Sequence, residues 1–274
     1  MLAPTPPVVL SISGSDSAGG AGAHADLRTY AALGVHGATA LTVVTAQDTT
    51  TVHGAFPLPP SFVRSQIEAV TDDLTVAATK TGLLGHPAVV RTVIELAGSG
   101  RLPNLVVDPV LVDRYDQPIV AAETVQLYAR ELTAAATVIT PNTTEAFLLT
   151  GIEITTVADL HAAASRLVAA GATAAVVKGG RLTGDPIDVI ATRDGTGELH
   201  SPRVETRNDH GTGCSFAAAV AAGLALGLTP LEAVHRAKEL VDVAISAAAS
   251  WTMGSGHGPI DQLAWRRARR EPTG

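Results

Sequence analysis

Residues 8–34 read VVLSISGSDSAGGAGAHADLRTYAALG and combine a strand, a glycine-rich loop and a helix in one run. The short apolar run Val8–Ser13 predicts a buried strand. Residues 14–22 are small and rich in glycine, which indicates a loop, and the helical periodicity that follows ends at Gly34. A strand that leads into a helix in this way is the repeating unit of α/β proteins.

The same alternation continues along the rest of the chain. Strands that alternate with helices pair in parallel through right-handed crossovers. We therefore predict an α/β fold with a large, mostly parallel central sheet that is buried on both faces. Further strands are predicted at residues 38–46, 76–81, 105–107, 138–140 and 174–177, and helices at residues 60–74, 87–97, 121–135, 157–170, 212–226 and 230–250.

Residues 187–204 differ from this pattern. They form β-type runs around Asp194-Gly195-Thr196-Gly197, which predicts an antiparallel hairpin near one edge of the sheet. No linker, internal repeat or change of composition divides the chain. We therefore predict one domain over residues 8–262, between a flexible tail at residues 1–7 and a polar tail at residues 263–274.

The composition excludes several classes of protein. Of 274 residues, 19 are Lys or Arg and 26 are Asp or Glu, so the formal charge of −7 gives no attraction to nucleic acid or to an anionic membrane. With 46% hydrophobic and 16% charged residues, the chain is expected to fold. Its single cysteine, Cys214, cannot form an internal disulfide, which is typical of a reducing cytosol. We expect a cytoplasmic protein without nucleic-acid or membrane partners.

Polar and glycine residues follow nearly every predicted strand. In open parallel sheets, ligands bind beyond the carboxyl ends of the strands. Asp108, Asn142 and Glu145 follow two successive strands and offer the oxygen ligands that nucleotide-bound Mg²⁺ needs. Asn142 is equally suited to capping a short helix. Lys178 ends a buried strand and precedes two glycines, which leaves room for a phosphate beside its ammonium.

The most distinctive local motif is Asp209-His210-Gly211-Thr212-Gly213-Cys214, which opens a long apolar helix. Unpaired N–H groups and the helix dipole suit residues 211–213, here called the anion turn, to a phosphate or a developing phosphoryl charge. The alternative is a tight helix start in which the glycines serve packing. Cys214 lies in the first helical turn, where a thiol pKa is lowered, so it is a candidate base or nucleophile. Otherwise it is a small buried hydrophobe.

The glycine loop permits two other nucleotide-binding interpretations. Residues 14–19 fit the first half of a P-loop, but Gly20-Ala21 stands where that motif needs Lys and Ser or Thr. Gly20-x-Gly22-x-x-Ala25 fits the dinucleotide fingerprint, with Asp48 near the ribose position. This second interpretation leaves Lys178 and the anion turn without a role. The nine histidines show no zinc-ligand spacing, and no Gly-x-Ser-x-Gly hydrolase elbow follows a strand.

Several motifs occur in order along the chain, from Val8 to Pro259. They are the glycine loop of residues 14–22 with Ala25-Asp26-Leu27, Thr45-Ala46-Gln47, Asp108-Pro109-Val110, Thr140-Pro141-Asn142 with Glu145, Val177-Lys178-Gly179-Gly180, the motif from His210 to Cys214, and Gly256-His257-Gly258-Pro259. The ordered set resembles the hydroxymethylpyrimidine/phosphomethylpyrimidine kinases of thiamine biosynthesis, a ribokinase-like family. The resemblance implies a three-layer α/β/α fold with ATP and Mg²⁺ at the carboxyl ends of the strands.

The resemblance also implies how the pyrimidine is bound. Gln47 is expected to hydrogen-bond the edge of the aminopyrimidine. Gly14, Asp16, Leu83 and Val110 are expected to line its pocket. The partners implied are this small molecule and ATP, and we expect a homodimer.

On the nucleotide side, the resemblance assigns Asp108, Asn142 and Glu145 to Mg-ATP. Mg²⁺ is expected to be held by Asp108 and Glu145 through water. Lys178 is expected to contact the transferred phosphate, and the anion turn to bind the developing charge on the phosphoryl group. Cys214 takes the position that many ribokinase relatives fill with an Asp base.

Three positions differ from the family pattern, and two alternative functions remain open. Leu83 replaces Met, Ala23-His24 replaces Ile-Gln, and Asp209 replaces Thr beside the anion turn. A pyridoxal kinase is one alternative, because a hydroxymethylpyridine has nearly the same shape as the pyrimidine. A noncatalytic pyrimidine-binding protein is the other, and the acidic and lysine residues named above argue against it.

Overall fold

The computed structural model describes residues 4–269, and an eight-stranded sheet lies at the centre of this part of the chain. Six neighbouring strands of this sheet pair in parallel, and two further strands extend one edge of the sheet as an antiparallel hairpin. This confirms the mostly parallel sheet with a hairpin at one edge. In spatial order the strands are β10 (Gly195–His200), β9 (Ile187–Thr192), β8 (Ala174–Val177), β7 (Val138–Ile139), β6 (Leu105–Val107), β5 (Val76–Thr81), β1 (Val8–Ser13) and β2 (His36–Leu41).

Helices cover both faces of the sheet, which confirms the three-layer α/β/α architecture. Side chains alternate along a strand, so Leu10 and Ile12 of β1 belong to one hydrophobic core and Val9 to the other. Within residues 4–269 no helix is both long enough and apolar enough to cross a membrane. The helices are α1 (Gly22–Leu33), α2 (Pro60–Asp73), α3 (Pro87–Gly98), α4 (Ala122–Leu127), α5 (Thr133–Ala135), α6 (Thr143–Thr150), α7 (Val157–Ala169), α8 (Thr212–Ala225), α9 (Pro230–Ala248) and α10 (Ala264–Ala268).

Helix α8 is held between the sheet and α9 by small side chains. Its residues from Ser215 to Leu224 are all buried. A Cβ atom on Gly223 would lie 2.8 Å from the Cβ atom of Ala233 in α9, so the two helices approach closely at this glycine. Interiors packed this tightly resist displacement. The amino end of α8, which carries the anion turn, is therefore rigidly positioned.

The predicted strand at residues 38–46 is wrong, because the chain leaves the main sheet at Thr42. The Thr42 N–H donates to the Ser13 carbonyl oxygen over 3.1 Å, and the Ser15 N–H donates to the Val43 carbonyl oxygen over 2.9 Å. The following strand, β3 (Val43–Gln47), pairs instead with β4 (Val52–Pro57) in a separate antiparallel sheet. The sequence does not predict β4, because every residue of this strand is exposed and its side chains do not alternate between buried and exposed positions.

The prediction of one regular helix at residues 121–135 is wrong, because the helical segment is interrupted. A π-helical turn, Tyr128–Leu132, separates α4 from α5. The Thr133 hydroxyl donates to the Tyr128 carbonyl oxygen over 2.7 Å and holds the wider turn. The insertion keeps both Tyr128 and Leu132 in the core, at 1% and 0% exposure.

Packed structure continues beyond residue 262. Helix α10 lies in the region predicted as a polar tail, and its Trp265 is only 5% exposed. At the other end, the Pro7 carbonyl oxygen accepts a hydrogen bond from the His36 N–H over 2.9 Å, directly before β1. The outer parts of both predicted tails, residues 1–3 and 270–274, lie outside the described residues.

Candidate active site

Lys178 and the anion turn meet at the carboxyl edge of the main sheet. Lys178 follows β8, and its Nζ atom lies 3.2 Å from Oδ1 of Asp108, which follows β6. A Cβ atom built on Gly213 would lie 3.2 Å from the same Nζ atom. The ammonium therefore lies between the Asp108 carboxylate and the first turn of α8.

The anion turn can be built only with glycine at residue 211. Gly211 has a φ of 83°, and a Cβ atom at this position would collide with the Gly20 carbonyl oxygen. The glycine loop after β1 thus packs directly against the turn. The Thr212 hydroxyl donates to the Asp209 carbonyl oxygen over 2.6 Å, so it closes the turn. The Thr212 N–H also donates to the Asp209 carbonyl oxygen, over 3.3 Å. Within residues 4–269 the N–H groups of Gly211, Gly213 and Cys214 donate to no carbonyl oxygen, so they remain available to an anion.

Lys178 is charged despite its burial. Its side chain is 18% exposed. Burial alone would lower the pKa of Lys178, but the carboxylates of Asp108 and Glu145 outweigh this and raise the pKa above its ordinary value. A permanent positive charge therefore lies beside the anion turn.

Asn142 and Glu145 form a capping box at the start of α6, so the capping interpretation of Asn142 is correct. The Glu145 N–H donates to Oδ1 of Asn142 over 2.9 Å, and the Asn142 N–H donates to Oε2 of Glu145 over 2.8 Å. Burial raises the pKa of Glu145 to about 7; Lys178 lowers it and Asp108 raises it further. Asn142 also lies beside Lys178 in an isolated parallel bridge.

The carboxylates of Asp108 and Glu145 fit the predicted Mg²⁺ site. Both residues are buried, and the charge of Asp108 acts on Glu145. Among residues 4–269 no cluster of three or more metal-ligating side chains occurs. Mg²⁺ that accompanies a nucleotide uses one or two carboxylates together with phosphates and water. Two carboxylates at this edge satisfy that requirement without a complete protein cage.

Asp16 organises the glycine loop. Its carboxylate accepts hydrogen bonds from the N–H groups of Ala18, Gly20 and Ala21 over 3.0, 2.9 and 2.8 Å. Burial alone would raise the pKa of Asp16, but the His210 contact and the N–H donors of Ala21 and Ala18 hold it below its ordinary value. The residue is only 2% exposed, so its buried carboxylate fixes the conformation of the glycine loop.

His210 connects the glycine loop with Gln47, and the sequence analysis gave it no role. Its Nε2 atom lies 3.0 Å from Oδ2 of Asp16 and 3.4 Å from Nε2 of Gln47. Gln47 is half-buried at the end of β3. The position of His210 directly before the anion turn was the available signal for its participation.

The predicted apolar wall of the pocket is partly assembled. A Cβ atom on Gly14 would lie 2.7 Å from Cγ1 of Val43 and 3.6 Å from Cδ2 of Leu83, so both side chains contact the glycine directly. Val110 is half-buried, and its N–H donates to the Asp108 carbonyl oxygen over 2.9 Å. Gly14 and Leu83 therefore share one wall, while Val110 is tied to Asp108.

Cys214 does not have the lowered pKa predicted from its position in the first turn of α8. Burial raises the pKa of the thiol to about 11, although the charge of Lys80 acts in the opposite direction. The helix position is thus outweighed by the loss of solvent around the sulfur.

Asp209 does not leave an unbalanced charge beside the anion turn. Its Oδ1 atom lies 2.8 Å from Nδ1 of His257 and 3.9 Å from a guanidinium nitrogen of Arg114. The residue that departs from the family pattern is therefore engaged by groups from two other loops.

The dinucleotide interpretation of Asp48 is wrong. Its Oδ1 atom accepts hydrogen bonds from the Thr50 and Thr51 N–H groups over 2.7 and 3.0 Å. Oδ2 lies 2.7 Å from Nε2 of His53. The carboxylate therefore closes the turn between β3 and β4.

The fold and this site define a kinase of the ribokinase-like class. The chain belongs to the phosphomethylpyrimidine kinase family, whose sequence model matches residues 16–261. The hydroxymethylpyrimidine/phosphomethylpyrimidine kinase of Streptomyces coelicolor is 45% identical over 267 residues, which cover 95% of this chain and 97% of the relative. These findings confirm the family resemblance of the motifs.

Solved structures of two related enzymes have the same fold. The pyridoxal kinase of Bacillus subtilis, in an ADP complex, matches with a TM-score of 0.90 and 36% identity over 96% of this chain and 99% of that one. The phosphomethylpyrimidine kinase of Clostridium difficile 630 matches with a TM-score of 0.77 and 31% identity over 88% of this chain and 99% of that one. Both similarities confirm the ribokinase-like architecture.

Proposed function

We propose that the chain transfers the γ-phosphoryl group of ATP to the hydroxymethyl group of 4-amino-5-hydroxymethyl-2-methylpyrimidine, and then phosphorylates the monophosphate to the diphosphate. The observation that carries this proposal is the position of the Lys178 ammonium, 3.2 Å from Asp108 and adjacent to Gly213. Three segments far apart in the chain thus supply a cation, a carboxylate and a helix amino end to one point. Phosphoryl transfer needs this combination of positioning and charge neutralisation.

In the first transfer, the pyrimidine hydroxyl oxygen forms a bond to the γ-phosphorus while the bond between that phosphorus and ADP breaks. The hydroxyl proton passes to the Cys214 sulfur when this residue is in its thiolate form. Lys178 and the N–H groups of the anion turn stabilise the charge on the phosphoryl oxygens. Asp108 and Glu145 would hold Mg²⁺, with Asn142 fixing the Glu145 carboxylate, and the ion neutralises phosphate charge when bound.

Gln47 gives the proposed pocket its preference for an aminopyrimidine. A primary amide offers both an N–H donor group and a carbonyl acceptor, which match the ring nitrogen and the amino group of the substrate. Gly14 and Leu83 form the apolar wall of the proposed pocket, and Val110 lies next to Asp108. Asp16 acts through the glycine loop and His210, both of which it holds in place.

Pyridoxal phosphorylation is the second candidate function. A solved pyridoxal kinase matches this chain with a TM-score of 0.90, and a phosphomethylpyrimidine kinase with 0.77. The overall architecture therefore accommodates a hydroxymethylpyridine as well. The higher sequence identity to the Streptomyces coelicolor relative, 45%, favours the pyrimidine.

A coupled ADP-release assay with the pyrimidine, its monophosphate and pyridoxal as separate acceptors tests the proposal. We expect both pyrimidines to be phosphorylated with a higher kcat/KM than pyridoxal. A preference for pyridoxal would establish the second candidate function. The absence of ADP release with any acceptor would identify a noncatalytic binding protein. We also propose that the enzyme is a homodimer and acts in the cytoplasm.

A further inference from the structure

The imidazole ring of His210 is held in one place beside the glycine loop. The His210 N–H donates to the Gly258 carbonyl oxygen over 3.0 Å, which fixes the backbone. A Cβ atom on Gly20 would collide with the ring, so the ring packs directly against this glycine. The His210 side chain is 22% exposed. The ring nitrogens of His210 therefore have fixed positions toward their neighbours.

The contact with Asp16 requires a hydrogen on Nε2 of His210. Oδ2 of Asp16 lies 3.0 Å from this nitrogen and also accepts hydrogen bonds from the Gly20 and Ala21 N–H groups over 2.9 and 2.8 Å. Burial opposes the charge of Asp16, but the contacts with His210 and Ala21 keep its pKa below the ordinary value. An ionised carboxylate only accepts hydrogen bonds, so the imidazole must donate.

The same nitrogen of His210 faces the side-chain amide of Gln47. It lies 3.4 Å from Nε2 of Gln47. An amide NH₂ group only donates, and the His210 nitrogen already donates to Asp16, so two donors would meet at this contact. A half-turn of the amide about its last side-chain bond exchanges nitrogen and oxygen without changing its shape. The carbonyl oxygen of Gln47 then accepts from His210, which is the orientation that this contact favours.

The described residues offer no other group that could set the orientation of this amide. The Ser17 hydroxyl donates to the Gln47 carbonyl oxygen of the main chain over 2.8 Å and accepts from its N–H over 2.7 Å, so the backbone of Gln47 is fixed to the glycine loop. Within residues 4–269 the side-chain amide has a hydrogen-bonding contact with His210 alone. The choice between the two amide orientations therefore depends on His210.

The orientation of the amide decides which way the pyrimidine lies. A ring nitrogen, the amino group and the hydroxymethyl group occupy three successive positions of the substrate ring. The ring nitrogen accepts from the Gln47 NH₂ group, and the amino group donates to the Gln47 carbonyl oxygen. With this oxygen at His210, the amino group and the adjacent hydroxymethyl group lie at the His210 end. Gly211, the first residue of the anion turn, directly follows His210. The reverse orientation would direct the hydroxymethyl group away from the anion turn.

We propose that His210, with its Nε2 hydrogen fixed by Asp16, is a positioning residue that orients the Gln47 amide and so makes the site specific for an amino group next to the reacting hydroxymethyl group. His210 acts through Gln47 and does not touch the reacting atoms. The proposal rests on the proposed function, in which Gln47 binds the aminopyrimidine.

The 4-oxo analogue of the substrate tests this role. In this analogue a carbonyl oxygen replaces the amino group and the neighbouring ring nitrogen carries a hydrogen, so donor and acceptor are exchanged along the edge. In the wild type the analogue would place its oxygen against the fixed Gln47 oxygen. We expect its kcat/KM for ADP release to be about 100-fold lower than that of the aminopyrimidine.

His210→Leu frees the amide of Gln47 to turn toward either edge. We expect the ratio of the two kcat/KM values to fall by about tenfold or more in this variant. A merely structural role of His210 would lower both values alike, so an unchanged ratio would overturn the proposal.

Two further variants control for the loss of the ring. His210→Gln carries an NH₂ group near the position of Nε2, so it can donate to both Asp16 and Gln47, and it should restore the wild-type ratio. His257→Leu removes another half-buried histidine, whose Nδ1 atom lies 2.8 Å from Asp209, and should leave the ratio unchanged. An equal fall of the ratio in His257→Leu would overturn the assignment to His210.

Nuclear magnetic resonance of the wild type with ¹⁵N-labelled histidine measures the Nε2 hydrogen without any activity assay. The spectrum of His210→Gln identifies the signals of His210 among the nine histidines. We expect a hydrogen on Nε2, and a bare Nε2 would overturn the proposal even if His210→Leu does not fold. Wild-type protein that does not phosphorylate the aminopyrimidine would overturn the proposed function and the specificity role together. Phosphorylation with an unchanged ratio in His210→Leu would overturn the role of His210 alone.

Discussion

The ammonium of Lys178 lies 3.2 Å from a carboxylate oxygen of Asp108, although 70 residues separate them in the sequence. The parallel pairing of β6, β7 and β8 produces this contact, because the three strands end at the same edge of the sheet. The amino end of α8 then approaches the same ammonium from outside the sheet. A phosphoryl group at this point would meet fixed donors on one side and a carboxylate site for Mg²⁺ on the other.

Replacement of Lys178 by Met should lower kcat for ADP release by about 10²- to 10³-fold, the usual cost of removing one donor to a developing negative charge. The fold should persist, because Met has a length similar to that of Lys. The matched control is Lys238→Met, which removes another buried lysine. Equal rates in the two variants would refute the phosphate contact of Lys178.

Gly211→Ala should destabilise the protein more than Gly227→Ala. Both glycines have a left-handed φ, 83° and 86°, so each alanine costs about 1 kcal/mol in backbone strain. Only at Gly211 does the added Cβ atom collide with a backbone oxygen, whereas nothing lies within 4 Å at Gly227. We expect a total loss of about 3 kcal/mol at Gly211. Denaturant unfolding of the two variants measures the difference, and equal losses would contradict the packing of the glycine loop on the anion turn.

The sequence was sufficient to predict the main sheet, because its strands are short buried runs followed by polar or glycine residues. The predicted bounds of β1, β5, β6 and β8 agree with the structure. The sequence was not sufficient to predict β4, because the exposed residues of this strand have no hydrophobic pattern. The π-helical turn was also hidden, because Tyr128 and Leu132 fit an ordinary helix equally well.

The sequence predicted only those site residues that belong to short local motifs. Lys178 and the anion turn belong to such motifs, and the structure brings them together. Lys80 stands between two threonines and belongs to none of the motifs, and its buried ion pair with Asp26 depends on the contact between α1 and β5. The thiol pKa of Cys214 was predicted with the wrong sign, because a sequence records the helix start but not the loss of solvent around the sulfur.

Gln47→Leu should raise KM for the pyrimidine by about 10- to 100-fold, since a hydrogen-bonding site that loses its partner costs about 1–3 kcal/mol. KM for ATP should change little, because the amide lies on β3, outside the nucleotide side of the site. Steady-state kinetics with each substrate varied in turn measures both constants. A parallel rise in the two KM values would show that the substitution disturbs the whole site.

Glu145 should make the stability of the protein depend on pH. Its pKa is about 7 in the folded state against an ordinary 4.5, so the folded protein binds the proton more tightly. The stability from this group is fully present below about pH 4.5 and is lost as the pH rises through about 7. Glu145→Gln keeps an acceptor for the Asn142 N–H and removes the titration. The unfolding free energy of the wild type relative to this variant should therefore fall by about 3 kcal/mol between pH 4.5 and 7.5. Parallel pH profiles in urea denaturation would contradict the raised pKa of this buried carboxyl group.

Cys214→Ala should lower kcat by about 10²- to 10⁴-fold, the contribution of a positioned general base. A thiol with a pKa of about 11 is mostly protonated at neutral pH, so the wild-type rate should rise about tenfold per pH unit until it approaches that value. The alanine variant should lose this dependence along with the activity. Cys214→Ser is the matched control, because it keeps the shape of the side chain while its hydroxyl remains protonated over the same range. If both variants retained wild-type rates with an unchanged pH profile, the proton would leave by another route, and Cys214 would serve only to pack the start of α8 against the glycine loop.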